Sequence, residues 1–251
     1  MAPPRLSRVE AIVLKDREVG EADRLVCLFT RERGKIWARA AGARRPGSRL
    51  GGHVQPLTHT HVLLAGGQSG DVVSQAEVIH PFPALRGDLE RLAQALACVE
   101  VLDGLTAEGQ PNPRAFHLLL RTLEALEAGE GRLPLLWYQV QVLASLGLQP
   151  QLFRCAECGT PLTPQPHRYS LRGGGVLCPA CAPKDNASFP LSLEALKVLR
   201  WLARHDYSRA RSLRLGDVGD EVERLLRATL RWHLEREVRA EVFRQEVALR
   251  R

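Results

Sequence analysis

Cys155-Ala-Glu-Cys158 and, nineteen residues later, Cys178-Pro-Ala-Cys181 constrain this chain more than any other feature. Each Cys-x2-Cys forms a tight turn that aims two sulfurs at one centre. Two such turns at this separation supply the four ligands of a tetrahedral structural zinc site. Two disulfides or four unconnected thiols are the alternative. The first pair follows Gly147 and Pro150, which close one helical pattern, and the second precedes Pro183 and Pro190, after which another starts. A compact cysteine module is therefore expected inside a helical region. The first thirty residues, from Met1-Ala-Pro-Pro-Arg5, lack the apolar core of a signal peptide. No apolar run reaches the ~18 residues of a membrane span. The expected location is cytoplasmic, where paired cysteines favour metal over disulfide. Cys27 and Cys98 stand alone in apolar surroundings and read as small core residues.

Ahead of the helical region, residues 8–79 read as β. Expected strands are Arg8–Lys15, Asp23–Thr30 (around Leu25, Cys27 and Phe29), Lys35–Ala40, Gln55–Leu64 and Asp71–Ile79, with a hairpin loop over Gly66–Gly70. In the third strand Ile36, Ala38 and Ala40 share one face, and Lys35, Trp37 and Arg39 the other. Five short strands fit a small barrel of the OB type; SH3-like and other small barrels fit nearly as well.

Pro81 and Pro83 punctuate a change to helix. Leu85, Leu89, Leu92, Leu96 and Val99 form a helical stripe, and Asn112-Pro113 is a cap with proline at the first helical position. Further helices are expected through Phe116–Leu126, from Pro134 to Gly147, from a Ser192 cap through Leu202, around Val222–Leu230, and in the charged tail to Arg251. The expected fold is α+β and multidomain. Its parts are a barrel over 1–80, a helical domain over 81–150 and 184–251, and a four-cysteine zinc finger inserted at 151–183.

The chain carries a formal net charge of +7, but its distribution matters more than its sum. Residues 31–49 hold seven basic residues and one acidic, a local net of +6. Such a band is the footprint of a polyanion; a solvated charged face is the bland alternative. Lys35 and Arg39 flank Trp37, which pairs phosphate-neutralising cations with a ring on which an unpaired base can stack. Arg44, Arg45 and Arg49 follow on a Gly-rich loop with no Gly-Lys-Ser/Thr, so it is not a nucleotide-binding P-loop. The candidate DNA-binding residues are thus Lys35, Trp37, Arg39, Arg44, Arg45 and Arg49. Contact with six phosphates implies a log–log salt slope of about −5 on duplex and about −4 on single strands.

Cys155, Glu157 and Cys178-Pro-Ala-Cys181 also resemble the core of a zinc deaminase, but Cys158 fills the position a catalytic water needs. His53, His59 and His61 read as an exposed polar face rather than a metal set. Arg172-Gly-Gly-Gly175 reads as the hairpin tip between the two knuckles.

Arg39-Ala-Ala-Gly-Ala-Arg44-Arg-Pro-Gly-Ser-Arg49-Leu-Gly-Gly-His-Val-Gln55-Pro-Leu57 resembles the signature of the bacterial RecO recombination-mediator family. Gly20-Glu-Ala-Asp-Arg24-Leu-Val-Cys-Leu-Phe29-Thr and Leu226-Arg-Ala-Thr-Leu-Arg-Trp-His-Leu234 are similar to it as well. The resemblance spans nearly the whole chain. It implies an N-terminal OB barrel, a helical domain with an inserted zinc finger, and structural zinc. It also implies binding of single- and double-stranded DNA, annealing of complementary strands, partnership with RecR, contact with single-stranded-DNA-binding protein, and help in loading RecA. No enzyme activity belongs to it. A zinc-ribbon transcription or translation factor is the alternative, separated by its sequence-specific binding.

Overall fold

Five strands close into one barrel in the computed structural model, which describes residues 6–67 and 70–249, with side chains to residue 244. Residues 1–5, the tip of the expected hairpin loop at Gln68 and Ser69, and the last two residues of the tail lie outside the described residues. The chain divides into two compact units, residues 1–129 and 130–251.

The first unit holds β1 (Leu6–Val19), β2 (Asp23–Thr30), β3 (Gly34–Ala40), the short α1 (Arg49–His53), β4 (His59–Gly67) and β5 (Gly70–His80). The strand order is β1-β2-β3-β5-β4, closing back on β1, with β3 and β5 parallel. The interior is filled by Val9, Ala11, Val13, Val26, Leu28, Ile36, Ala38, Ala40, Val62, Leu64 and Val73. Ile36, Ala38 and Ala40 thus face inward as their alternation implies. In β2 the alternation reads the other way from expectation. Val26 and Leu28 fill the barrel, while Cys27 and Phe29 are buried on its outside. Helices cover that outer face, so β2 becomes apolar on both sides and its period loses meaning.

Those helices are α2 (Pro83–Arg86), α3 (Leu89–Leu105) and α4 (Pro113–Glu127). The change to helix falls at Pro83, and Asn112 caps α4 by accepting from the Ala115 amide at 2.9 Å. The stripe expected from Leu85 to Val99 is corrected. Asp88 caps α3 and splits the stretch in two; Leu85 and Val99 are buried as expected, but Leu89 and Leu96 are exposed, and α3 also buries Ala93, Ala97, Cys98, Val101 and Leu102. Small side chains let this helix approach the barrel closely. Gly34, at φ +67°, shows how closely the following segment packs: a Cβ there would collide with the Gln110 carbonyl oxygen. The fourth strand begins at His59, not Gln55, because residues 55–58 turn and Leu57 adopts φ +62°.

The second unit contains α5 (Leu133–Ser145), β6 (His167–Ser170), β7 (Gly175–Leu177), β8 (Phe189–Leu191), α6 (Leu193–Arg204), α7 (Tyr207–Ala210), α8 (Val218–Leu234) and α9 (Arg239–Leu249). Nearly all of α5 is buried, which makes it the axis of this unit. Ser192 caps α6 by accepting from the Ala195 amide at 3.0 Å, and Glu221 of α8 in turn receives the Ser192 amide and hydroxyl. The sheet β7-β6-β8 carries the cysteine module, and Tyr169 of β6 lies 3.2 Å from the Thr229 hydroxyl of α8. The turn between β6 and β7 holds Arg172 to Gly174, with Ser170 opposite Gly175, as the glycine run implies. No described helix is long and apolar enough to cross a membrane.

Candidate metal centre and nucleic-acid interface

The two knuckles are built by local backbone bonds. The Cys155 amide donates to the Thr160 carbonyl and the Gly159 amide to the Cys155 carbonyl; in the second, Cys181 and Ala182 amides both donate to the Cys178 carbonyl. The Ala156 amide donates to Val176, and a Cβ at Gly175 would sit 2.5 Å from the Gln151 carbonyl oxygen. Only glycine lets the hairpin lie against the first knuckle this way.

The sulfurs of Cys155, Cys158, Cys178 and Cys181 all lie within 4.8 Å of one another, and Cys158 and Cys178 are 3.8 Å apart. A disulfide needs about 2.05 Å between sulfurs. Four thiolates about 2.3 Å from one zinc stand about 3.8 Å apart along each tetrahedral edge. The cluster has the second geometry, so these residues can hold a metal ion. A metal held by all four sulfurs would have a full tetrahedral set, with no place for a catalytic water. Without metal the thiols diverge. The Thr160 hydroxyl, 3.3 Å from Cys158 Sγ, and the Thr160 backbone bring Cys158 down to about 6, whereas burial pushes Cys181 up to about 12. A bound cation favours the thiolate at every one of these positions. Cys27 and Cys98 are fully buried and far from this role.

On the barrel, the six candidate DNA-binding residues separate. Lys35 is corrected: it is buried, and its Nζ donates to the Asp103 carbonyl oxygen at 2.5 Å and lies 3.2 Å from Asp103 Oδ1. The segment after α3 covers this end of β3, pairing Lys35 with Glu108 as an isolated bridge. Strand alternation gives the direction of a side chain but not what covers it. Trp37 is half-buried, with Lys15 Nζ 5.4 Å and Arg17 Cζ 5.5 Å from its ring. Arg39 is exposed and donates from Nε to Asp23 at 2.7 Å. The other Asp23 oxygen accepts from the Gly42 amide at 2.7 Å, which fixes the start of the basic loop. Those two bonds, the Gly42 one foremost, hold the Asp23 carboxyl below the usual range. Arg44 pairs with Glu18 at 3.0 Å, and Arg45 and Arg49 are exposed and form no salt bridge among the described residues, though the charge of Arg45 also helps to lower Asp23.

The local charge of +6 is therefore largely answered in three dimensions. Glu10 faces Arg31, Asp71 faces Arg33, Asp103 faces Lys35, Asp23 faces Arg39 and Glu18 faces Arg44. Exposed pairs of this kind are worth only about 0–1 kcal/mol and can yield to phosphate; the enclosed Lys35 pair cannot.

Lys15 and Arg17 are absent from the sequence reading. The signal lay in register: Lys15 stands opposite Cys27, which stands opposite Trp37, and Arg17 opposite Leu25, opposite Arg39. A bulge between Val13 and Lys15 resets the alternation and turns both cations onto the outer face. That face of β1-β2-β3 thus carries Lys15, Arg17, Trp37 and Arg39, with Arg44, Arg45 and Arg49 beyond it.

The histidines are corrected too. His59 is buried, with Nε2 2.9 Å from Glu10 Oε1, a carboxylate brought from β1 that sequence distance conceals. His53 contacts the Ala76 carbonyl oxygen at 2.6 Å. Among the described residues, the cysteine cluster is the one grouping of three or more such side chains able to share a metal.

The family described as Recombination protein O N terminal matches residues 1–82, and Recombination protein O C terminal matches residues 86–241. The chain is similar to the DNA repair protein RecO of Roseiflexus sp. (strain RS-1), at 42% identity over 97% of this chain and 86% of the relative. It is also similar to the DNA repair protein RecO of Desulforudis audaxviator (strain MP104C), at 41% over 96% and 97%, and of Symbiobacterium thermophilum, at 36% over 95% and 96%. A closed five-stranded barrel, a helical second unit with a metal-competent cysteine cluster, and matches running from end to end lead to one family: the chain belongs to the RecO DNA repair proteins.

Proposed function

We propose that this chain is a recombination mediator that binds single- and double-stranded DNA without sequence preference, anneals complementary strands, and helps load recombinase together with RecR. Contact with single-stranded-DNA-binding protein, and through it service to RecA at the nucleoid, belongs to the same reading. The observation that carries it is the barrel face. Lys15 and Arg17 lie over a half-buried indole on β1-β2-β3, Arg39 shares the strand face of that indole, and Arg44 and Arg45 on the adjoining loop with Arg49 at the start of α1 extend it. The face offers cations and one ring surface, a chemistry that favours phosphate and stacking over sequence. The cysteine cluster holds a structural zinc in this reading: Cys155, Cys158, Cys178 and Cys181 supply all four ligands, and the metal shapes the second unit rather than taking part in a reaction.

Titrating unrelated oligonucleotides, single and double stranded, against salt tests the reading. Similar affinity across sequences with a steep salt dependence is expected. Strong preference for one sequence would favour a zinc-ribbon regulator instead.

A further inference from the structure

The outer face of α6 has no role in the reading above. Lys197, Arg200, Trp201 and Arg204 recur at helical spacing along it, and the ring of Phe153, which leads into the first knuckle, lies beside it. Trp201 is 40% exposed, large for an indole on a folded surface, and its ring stands 4.0 Å from the His205 ring. Arg200 and Arg204 both lie over Phe153, with Cζ at 5.2 Å and 4.2 Å from the ring centre. Arg200 is held there by its Nε donating to the Leu152 carbonyl oxygen at 2.8 Å.

The cations of this face carry no counter-charge. Arg132, Lys184, Arg211, Arg231 and Arg244 of the same unit each meet a carboxylate. Lys197, Arg200 and Arg204 meet none among the described residues. The single acidic residue of α6 is Glu194, in its first turn. Two guanidiniums sharing one ring repel each other, and the ring offers only partial compensation. Burial, together with the proximity of Arg204, lowers the basicity of Arg200. An anion laid across them relieves that repulsion.

We infer that the Lys197–Arg204 face of α6, with Trp201 at its centre and Phe153 at its edge, is a contact surface for single-stranded nucleic acid, separate from the barrel face. Cations spaced along a helix follow a backbone, and an exposed indole among them takes an unpaired base. An acidic peptide would match the charge but anchors through apolar side chains in a pocket. Here the Phe153 ring is already covered by guanidinium, and the exposed aromatic surface is one indole. A contact surface on each unit would give an annealing protein more than one place to hold a strand. The inference rests on the proposed DNA binding.

The test uses the full-length, metal-loaded chain, with melting temperature and metal content confirming that each variant folds. Binding of a labelled thymidine 30-mer, its duplex counterpart, and a short acidic peptide ending in phenylalanine is measured against salt. Trp201→Ala should weaken the single strand about tenfold and the duplex less, while Trp201→Phe recovers most of the loss. Lys197→Gln with Arg204→Gln should make the single-strand log–log slope shallower by about 1.4, which a purely structural role would not do. Full single-strand affinity and slope in these folded variants overturns this surface alone. A loss confined to the peptide also overturns it, in favour of a protein partner. An unaltered chain that binds no DNA overturns the proposed function and this surface with it.

Discussion

Lys35 of β3 and Asp103 of α3 are joined twice, the ammonium donating to the main-chain carbonyl at 2.5 Å and lying 3.2 Å from the carboxylate. Lys15 shares the same carboxylate. One acid at the end of a helix thus gathers two cations from neighbouring parts of the barrel and fastens the helix to it.

Lys35→Ala should therefore act on stability rather than on DNA. Removing one partner of an enclosed pair costs about 3–5 kcal/mol when the other charge is stranded, and Lys15 reduces that to about 2 kcal/mol here. Chemical denaturation should show this loss, with the salt slope of DNA binding unchanged in the folded variant. A variant of full stability that loses one phosphate contact would return Lys35 to the DNA face.

The same acid sets a pH dependence. Burial opposes ionisation of Asp103, but the hydrogen bond from Lys15 and the charges of Lys35 and Lys15 outweigh it and hold the carboxyl below its ordinary range. Asp220 is lowered by Arg132. In the folded state these groups bind fewer protons than in the unfolded chain, whose aspartates titrate near about 3.9. Their stabilisation is complete above that value and is lost as pH falls through the folded values. Melting temperature should be insensitive to these groups from pH 7 to 5 and drop below about pH 4. Asp103→Asn should lower stability at neutral pH and flatten the acid limb; an unchanged acid limb in that variant would exclude the assignment.

Metal removal should loosen the second unit. Purified protein is expected to carry one zinc per chain, and Cys155→Ser or a strong chelator should release it and lower the melting temperature. Cys155 is the more telling position because it is buried, and its sulfur also accepts from the Cys178 amide at 3.3 Å. Metal analysis that finds no zinc in freshly purified protein would remove this role.

For DNA, the slope expected from sequence needs reducing. With Lys35 enclosed and Lys15 held by Asp103, the arginines at 17, 39, 44, 45 and 49 imply about −4.5 on duplex and about −3.5 on single strands from this face. Arg45→Ala and Arg49→Ala should each remove nearly one unit on duplex. Arg39→Ala and Arg44→Ala should remove less, since each is already paired with a carboxylate and neutralises a phosphate only in part. A slope of zero would exclude phosphate neutralisation on this face.

Local chemistry made much of this legible in the sequence. The spacing of Cys155, Cys158, Cys178 and Cys181 fixes a convergent cluster because the turn is written into four residues. Asn112 and Ser192 mark their helix starts for the same reason. What escaped depends on distant chain. Nothing near Lys35 reveals that Asp103 will cover it, and nothing near His59 reveals Glu10. Lys15 and Arg17 reach the outer face only through a bulge. The apparent stripe of Leu89 and Leu96 failed because α3 presents alanines to the barrel, where close approach outweighs side-chain size.

The strand order has a consequence for how the barrel is made. The β1-β2-β3 meander can form from neighbouring residues, but β1 also pairs with β4, Leu6 meeting Ala65, and β3 meets β5 through Ala38 and Asp71. Until β4 and β5 emerge, both outer strands of the meander are open edges and its apolar inner face is uncovered. Open edges recruit other strands. Fragments ending before about residue 80 should aggregate rather than yield a small DNA-binding module, and the chain most exposed to that hazard is the nascent one.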